Sequence, residues 1–209
     1  MTASGEEGRE ARGTRSRRAF DRDKALAVAL EEFWTHGYET TSIASLTKAM
    51  GINPPSLYAA FGDKRRLFGE VVELYQRTYG TFPPSPEDRD ARSVIQAVLM
   101  YVAADYTDPR HPPGCLIITA ATNCTPGSQD VQADLRAIRE ATKASIAGLV
   151  RADVEAGILP RETDAEGLAT FYVSVIQGMN QQACDGESRE ALEKVAKAAM
   201  RAWPDADGS

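Results

Sequence analysis

The sequence of 209 residues has no long hydrophobic run, and no stretch approaches the roughly 18 consecutive apolar residues that a membrane-spanning helix requires. It also lacks a charged leader followed by an apolar segment of the kind that directs export. These two absences argue against a membrane protein and against a secreted one. We therefore expect a chain that has no membrane partner and stays in the cytoplasm.

Cysteine and histidine are both scarce, at three and two residues. A small, odd number of cysteines favours reduced thiols over a disulfide framework. No CxxC or HxxxH spacing marks a metal site, and neither histidine stands in a pattern with a nucleophile or a paired carboxylate. The nearest candidates, His111 and Cys115, are separated by a Pro-Pro-Gly turn. We predict that the chain is not an enzyme and has no catalytic residue, metal or cofactor.

Positive charge is concentrated near one end of an otherwise acidic chain, whose formal net charge is -6. Residues 9–66 contain eleven Lys or Arg against seven Asp or Glu, whereas residues 67–209 contain thirteen against twenty-one. Such an asymmetry indicates that any nucleic acid is bound through the N-terminal part alone.

Residues 1–17 are rich in Gly, Ser, Thr and charge, so no apolar face exists to pack, and we predict a disordered basic arm. Five arginines lie in it or directly after it, at Arg9, Arg12, Arg15, Arg17 and Arg18. Such an arm either follows DNA into a minor groove or is simply a solvated tail. The sequence leaves both readings open.

Apolar periodicity predicts three short helices between residues 18 and 66. The inward positions of the first two recur three to four residues apart: Leu26, Leu30 and Trp34, then Ile43, Leu46 and Met50. Gly51 suits the left-handed position that ends the second helix. Asn53 is placed to cap the third, since Pro54 occupies its first position, where a missing N–H costs nothing. The sequence thus predicts a second and a third helix joined by a tight turn.

The third helix has one packed stripe and an outer face of small residues. Pro55 and Ala59 point away from the packed side, with Ser56 and Tyr58 on its flanks, an arrangement that suits insertion into a major groove. The next helix begins with Lys64 in its first turn, where a cation opposes the helix dipole. We predict that Lys64 binds a phosphate, whereas the next two cations extend into water.

These residues form one combined pattern: Gly37-Tyr38-x-x-Thr41-Ser42-Ile43-x-x-Leu46, Gly51-Ile52 and Leu57-Tyr58-x-x-Phe61-x-Asp63-Lys64. The pattern resembles the DNA-binding domain of TetR/AcrR-type transcriptional regulators, covers residues 18–66, and is more specific than a single helix-turn-helix motif. The resemblance implies phosphate contacts from Thr41, Ser42, Ser56, Tyr58 and Lys64. It further implies that six residues face base edges of double-stranded operator DNA: Ala44, Ser45, Pro54, Pro55, Ala59 and Ala60.

Two departures from the family pattern matter. Thr47 stands where the family usually has Ala, so we expect its hydroxyl to bond back to the carbonyl of Ile43, or the packing to be looser. The reading face has no Arg, Asn or Gln to make bidentate hydrogen bonds to guanine or adenine. We therefore expect base choice to come from thymine methyl groups, the hydroxyl of Ser45 and DNA shape, and hence T-rich positions under the third helix.

Residues 67–205 are predicted to form a second helical domain. Its segments are 64–79, 91–106, 115–124, 129–156, 164–184 and 188 to about 203, with breaks at the proline-rich stretches between them. The segment 115–124 reads as a buried helix, although its β-branched residues also permit a strand. The predicted fold class is all-α, with an N-terminal three-helix helix-turn-helix domain and a C-terminal helical domain for effector binding and dimerisation.

The family resemblance implies a homodimer whose interface is a bundle of the last two long helices. In this sequence Phe171, Ser174, Val175 and Gly178 offer a face of large and small residues on the first of them. The second would complete it with Leu192, Val195, Ala199 and Trp203. A two-fold dimer places its recognition helices one DNA turn or a multiple apart, which predicts a palindromic operator.

An unknown small-molecule effector is also implied by the resemblance. Candidate pocket residues combine apolar walls with a few polar groups: Met100, Tyr101, Cys115, Ile118, Asn123, Phe171 and Gln177. Ordinary core packing explains each of them equally well. We expect a one-component repressor released by its effector, although the sequence does not separate repression from activation. The alternatives are a thiol- or metal-sensing regulator of the same fold and a constitutive DNA-binding protein.

Overall fold

The computed structural model describes residues 21–80, 90–120, 122 and 124–204. Within these residues it contains α-helices and no strand. The helices are α1 (Arg22–His36), α2 (Ile43–Met50), α3 (Pro54–Phe61), α4 (Lys64–Thr78), α5 (Ala91–Asp105), α6 (Leu116–Thr119), α7 (Gln129–Glu155), α8 (Ala165–Cys184) and α9 (Arg189–Ala199). No helix in this part of the chain is long and apolar enough to cross a membrane. The predicted all-α fold, with an N-terminal helix-turn-helix domain and a C-terminal helical domain, is confirmed.

The helices of the N-terminal half begin at capping side chains, of which Asn53 is the one predicted above. Asn53 Oδ1 accepts a hydrogen bond from the N–H of Ser56 at 2.9 Å, and Asp63 Oδ1 accepts one from the N–H of Arg66 at 2.7 Å. Ser42 caps α2 by accepting from the N–H of Ser45 at 3.0 Å. These caps satisfy N–H groups that have no partner inside the helix, and so they fix where each helix starts.

The helices surround two apolar cores. The first is built from α1–α4 around Phe33, Leu46 and Leu57, and it also takes in Leu116 of α6 and Leu135 of α7. The second joins α5 and α7–α9, with fully buried residues at Leu99, Tyr172, Met179 and Leu192. Packing of the N-terminal core therefore continues past residue 66, where the sequence placed the end of the first domain.

The segment 115–124 forms part of the buried helix expected for it. Within its described residues, helix is confined to the single turn Leu116–Thr119. The next carbonyl, that of Ala120, accepts a hydrogen bond from the N–H of Tyr38 at 2.8 Å. This bond ties the end of α6 to the N-terminal domain. The hydroxyl of Thr122 bonds back to the carbonyl of Thr119 at 2.9 Å, a local contact that competes with helix propagation.

Two predictions fall on residues that the structure does not describe. The basic arm over residues 1–17 lies outside the described residues, and so does most of the break between α4 and α5, over residues 81–89. The described chain resumes at Asp90, whose side chain accepts from the N–H of Ser93 at 2.7 Å and caps α5.

Candidate DNA interface and ligand cavity

The turn between α2 and α3 has the geometry that its sequence predicts. Gly51 adopts φ +68° and ψ 31°, a left-handed conformation that residues with a Cβ rarely take. The hydroxyl of Thr47 donates to the carbonyl of Ile43 at 2.9 Å, the back-bond expected for this position. Leu46 and Leu57 are fully buried, so the two helices are held against the core in one fixed relation.

The outward side of α2 and α3 is exposed and nearly free of charge. Ser42, Ala44, Pro54, Pro55 and Ala59 are exposed, and Ser45, Ser56 and Ala60 are half-buried. Tyr58 is 49% exposed, the highest value among the large hydrophobic side chains that the structure describes. The hydroxyl of Ser45 donates to the carbonyl of Ser42 at 2.8 Å, so its proton is already used within α2. What this surface presents is methyl groups, proline rings and one phenol.

Thr41 does not belong to this surface. Its side chain is only 1% exposed, and its hydroxyl donates to the carbonyl of Gly37 at 2.7 Å. The resemblance implies a phosphate contact from this hydroxyl, but in the structure the side chain is buried and the proton is donated within the chain. Its physical role is to tie the end of α1 to the start of α2.

Lys64 lies against an aromatic ring at the edge of the same face. Its Nζ is 4.3 Å from the ring centre of Tyr38 and 3.5 Å from the carbonyl oxygen of Glu39. Burial lowers the pKa of Lys64, and the nearby Glu39 carboxylate partly opposes that effect. The ring and the carbonyl hold the half-buried ammonium at this edge, and a phosphate bound by Lys64 would take their place.

The neighbouring arginine was expected to extend into water, and it does not. Arg65 Nε lies 2.6 Å from Asp130 Oδ2, and a second nitrogen of the same guanidinium pairs with Asp134. Both carboxylates belong to the first turns of α7, so this pair ties α4 to the C-terminal half. Arg66 is exposed and lies 3.8 Å from Asp63.

Further hydrogen bonds join the α1–α2 turn to the segment that follows α6. The N–H of Tyr38 donates to the carbonyl of Ala120. Glu39 Oε1 accepts from the N–H and the hydroxyl of Thr125, at 2.7 and 2.8 Å. The backbone hydrogen bond from Thr125 is the largest cause of a lowered pKa at Glu39. No sequence pattern predicts these contacts, because the partners are some 80 residues apart.

A cavity of about 150 Å³ opens between α4, α5, α6, α7 and α8. Four predicted pocket residues line it: Tyr101, Cys115, Ile118 and Gln177. The lining further includes Tyr75, Gln76, Tyr79, Gly80, Val102, Asp105, Tyr106, Ile117, Ile138, Arg139, Thr142, Val173 and Ile176. Tyr75 and Tyr106 carry apolar spacing that reads as core in the sequence, and Arg139 sits in a charged helix, so sequence reasoning did not find them.

Three of the predicted pocket residues lie elsewhere. Met100 is next to Tyr101 on α5 and therefore points about 100° away, into a separate cleft of about 250 Å³ between α5 and α9. Phe171 is 41% exposed on the outer side of α8. Asn123 lies outside the described residues. For Met100 and Phe171 the expectation is corrected.

The thiol of Cys115 faces the cavity between two tyrosines. The Tyr75 hydroxyl donates to Cys115 Sγ at 3.2 Å. Burial raises the pKa of this thiol, so at neutral pH it stays protonated. Cys184 is exposed and Cys124 half-buried. Across the described chain no group of three or more His, Cys, Asp or Glu side chains is arranged to hold a metal ion.

The expected dimer face divides into exposed and buried residues. Phe171 and Val195 are 41% and 40% exposed, and Ser174 and Gly178 are exposed between them in sequence. Three other candidates are buried within their own chain, at Leu192, Ala199 and Trp203. They belong to the C-terminal core: Leu192 and Ala199 fall on the side of α9 that packs against α5 and α8, and Trp203, which follows α9, packs in the same core. That part of the expected face is corrected.

Comparison with known proteins gives a consistent result over most of the chain. A family profile described as "Bacterial regulatory proteins, tetR family" matches residues 25–71, and one described as "Tetracyclin repressor-like, C-terminal domain" matches residues 92–199. The HTH-type transcriptional repressor ComR of Escherichia coli (strain K12) is 34% identical over 191 residues, which cover 90% of this chain and 91% of ComR. The HTH-type transcriptional repressor BdcR of the same strain is 31% identical over 186 residues, or 88% of each chain.

A solved structure agrees with these sequence relatives. It is a cysteine mutant of the TetR family transcriptional regulator CifR complexed with 26 bp double-strand operator DNA. CifR is 41% identical to this chain, with a TM-score of 0.82 over 90% of this chain and 98% of CifR. The chain therefore belongs to the TetR family of transcriptional regulators.

Proposed function

We propose that this regulator is a repressor that binds a palindromic operator as a homodimer and is released from it by a small molecule. The observation that carries the proposal is the exposed outer face of α2 and α3 on a fully packed helix-turn-helix scaffold. The operator complex of CifR, a relative with 41% identity, supports the assignment of that face to DNA.

Backbone contacts would come from the rim of this face. The exposed hydroxyl of Ser42, the half-buried hydroxyl of Ser56 and the phenol of Tyr58 are hydrogen-bonding groups on two helices. Lys64 adds a cation from the start of α4, where free N–H groups also favour an anion. Such contacts set position and orientation on the duplex without reading its sequence.

Base contacts would come from the outer residues of α2 and α3. Ala44, Pro54, Pro55, Ala59 and Ala60 offer only apolar atoms, and Ser45 adds a hydroxyl whose proton is occupied. Apolar side chains recognise the C5 methyl of thymine in the major groove, whereas they have no hydrogen bond to give guanine or adenine. We therefore propose T-rich positions under α3, with DNA shape contributing the rest.

Dimerisation would use the outer faces of α8 and α9. Phe171 and Val195 are large apolar side chains left 41% and 40% exposed, and Gly178 permits close approach of a second helix. A two-fold axis through such a face repeats each half-site contact, and it is this repetition that makes the operator palindromic.

Helices α4 and α6 would couple effector binding to release of the operator. Tyr75 of α4 lines the cavity, and the same helix carries Lys64 and Arg65 at its N-terminal end. Ile117 and Ile118 of α6 also line it, and the residue after α6 bonds to Tyr38. A ligand that shifts either helix changes the placement of α3, provided that it binds the two arrangements with different affinity.

Selection of DNA from a random pool by the purified full chain tests this proposal. We expect enrichment of two inverted half-sites with T-rich centres. Ala59→Glu adds a carboxylate to the reading face at an exposed helical position and should abolish enrichment. Ala144→Glu makes the same change at an exposed position of α7 and should leave it intact. An absence of enrichment for the wild-type chain, or equal behaviour of the two variants, contradicts the proposal.

A further inference from the structure

Arg139 is the one strong cation in the described lining of the 150 Å³ cavity, and no carboxylate of the described chain pairs with it. Other arginines are paired: Arg65 with Asp130, and Arg151 with Glu166. The adjacent Glu140 is bonded to Lys143 on the next turn, with 2.8 Å between Oε2 and Nζ. Arg139 therefore reaches the cavity without a counter-ion.

The guanidinium has donors to spare. Its Nη1 donates to the carbonyl of Ile117 at 2.7 Å. Within the described residues, this is the only hydrogen bond that the guanidinium makes. An arginine has five N–H donors in a planar fork. Burial lowers the pKa of Arg139, and repulsion from Arg136 adds to that effect. A partly desolvated cation with unused donors is stabilised most by an anion that accepts two of them.

The rest of the cavity wall suits a small apolar body. Val102, Ile118, Ile138 and Ile176 supply hydrocarbon, and the Tyr75 and Tyr101 rings complete it. A volume of about 150 Å³ is close to that of a cavity known to accommodate one benzene ring. An occupant of this size has room for one ring or a short branched chain and one polar group.

The described lining also contains one carboxyl group, that of Asp105, and polar neighbours already interact with it. Asp105 Oδ1 lies 3.5 Å from the Tyr101 hydroxyl and 3.6 Å from His111 Nε2. Burial raises the pKa of Asp105, so it carries a proton more readily than an ordinary aspartate. Among the charged groups of the described lining, Arg139 is thus the one that lacks an oppositely charged partner.

We propose that the cavity binds a small organic monocarboxylate, about the size of benzoate, whose carboxylate pairs with Arg139 while its apolar body fills the space between α4, α5 and α8. This inference rests on the proposed function only in taking the cavity as the effector site. The chemical class follows from the guanidinium, the hydrocarbon wall and the volume.

The same pairing links the ligand to the DNA-binding half. A carboxylate that accepts two of the unused N–H donors would reorient the guanidinium, whose Nη1 also donates to Ile117 in the single turn of α6. The Ala120 carbonyl, three residues further on, holds the N–H of Tyr38 at 2.8 Å. Ligand binding would therefore shift α6 through Arg139 and disturb its contact with the α1–α2 turn.

Isothermal titration of the full chain without DNA tests the proposal, with three carboxylates as probes: benzoate, cyclohexanecarboxylate and hexanoate. Each is compared with its amide, which has the same shape and no charge. We expect saturable binding of at least one carboxylate, with its amide at least tenfold weaker. Amides that bind as tightly as the acids, or an absence of saturable binding by all three carboxylates, overturn the proposal.

Two matched variants test whether Arg139 is the cation that binds the carboxylate. Arg139→Gln should weaken carboxylate binding at least tenfold, whereas Arg161→Gln removes an exposed cation from the turn between α7 and α8 and should leave it unchanged. Carboxylate binding that survives in Arg139→Gln overturns the proposal. If that variant fails to fold, Arg139→Lys keeps the charge, and the comparison of acid with amide in the wild-type chain still decides.

Failure of this proposal is distinguishable from failure of the proposed function. Titration is done without DNA, and both variants should bind selected DNA as the wild-type chain does in the absence of ligand. A chain that binds carboxylate and selects no DNA would contradict the repressor assignment alone. A chain that selects an operator and ignores all carboxylates would contradict the ligand class alone.

Discussion

Asp153 is a carboxylate buried in the C-terminal half of the molecule, with 8% of its surface exposed. Its Oδ2 accepts a hydrogen bond from the N–H of Ala91 at 2.7 Å, and thereby satisfies the first N–H of α5. The residue that precedes this contact, Asp90, caps the same helix from outside. One side chain of α7 therefore fixes where α5 begins against it.

Replacing this carboxylate should destabilise the fold measurably. We expect Asp153→Ala to lower the free energy of unfolding by about 2 kcal/mol, because the buried N–H of Ala91 loses its hydrogen-bond acceptor and a small cavity is left. Glu155→Ala removes an exposed carboxylate two residues later and should change it by less than about 0.5 kcal/mol. Urea unfolding measures both, and equal effects would mean that the Ala91 contact contributes nothing.

Lys64 is the residue whose role in DNA binding is most open to measurement. Each phosphate contact contributes about one to the slope of log affinity against log salt, so Lys64→Gln should reduce the magnitude of that slope by about two for a dimer. Lys143→Gln removes a cation paired with Glu140 on α7 and should leave the slope unchanged. An unaltered slope in Lys64→Gln would show that the ammonium stays on the Tyr38 ring.

Residues whose partners are near in sequence were predictable, and residues whose partners are distant were not. The caps at Asn53 and Asp63 and the back-bond of Thr47 involve neighbours three or four positions away. The burial of Thr41 depends on how α1 and α2 meet. The pairing of Arg65 depends on a helix that begins more than 60 residues later.

At the scale of helices, the same division holds. The helices α4, α5, α7 and α8 carry enough apolar repeats, caps and proline breaks for their ends to be predicted within one residue, whereas α9 ends at Ala199, about four residues before its predicted end. Segment 115–124 carries no such signal, because its residues are apolar on all sides. Its single turn of helix is set by what α6 touches: Tyr38 through Ala120, and Arg139 through Ile117.

The outer faces of α8 and α9 give a prediction about assembly. Phe171→Glu places a charge at the centre of the proposed dimer face and should shift the protein to a monomer, with a loss of operator affinity of at least tenfold. Ile158→Glu makes the same change at a residue that is 48% exposed in the turn between α7 and α8, and it should leave a dimer. Sedimentation equilibrium reports the mass, and a dimer in both variants would place the interface elsewhere.

At the scale of the whole molecule, the N-terminal helices and the ligand cavity share one packed body. Leu116 and Leu135, from the C-terminal half, lie in the same core as Phe33 and Leu46. Trp34 of α1 stacks on His111 with 4.7 Å between ring centres. Because packed interiors do not deform continuously, we expect a change at α6 or α4 to reach the DNA-binding half as a shift of whole helices.

The charge of the molecule and its reading face have separate roles. We expect the cations of residues 9–66 to direct the acidic chain to DNA by its N-terminal end, as the charge asymmetry of the sequence indicates. The outer face of α3 presents proline rings, alanine methyls and Tyr58, so we expect base specificity to come from apolar contacts and DNA shape. On this proposal, the C5 methyl of thymine is the main base feature that the face recognises.

The most direct measurement is the affinity of the full chain for its selected duplex when each thymine under α3 is replaced in turn by uracil, which lacks only the C5 methyl. Burial of one methyl group is worth about 0.8 kcal/mol, so each contacted thymine should lose about fourfold in affinity, in both half-sites alike. Thymines outside the half-sites serve as the control and should lose nothing. If no replacement under α3 weakens binding, the reading of DNA by this apolar face is contradicted.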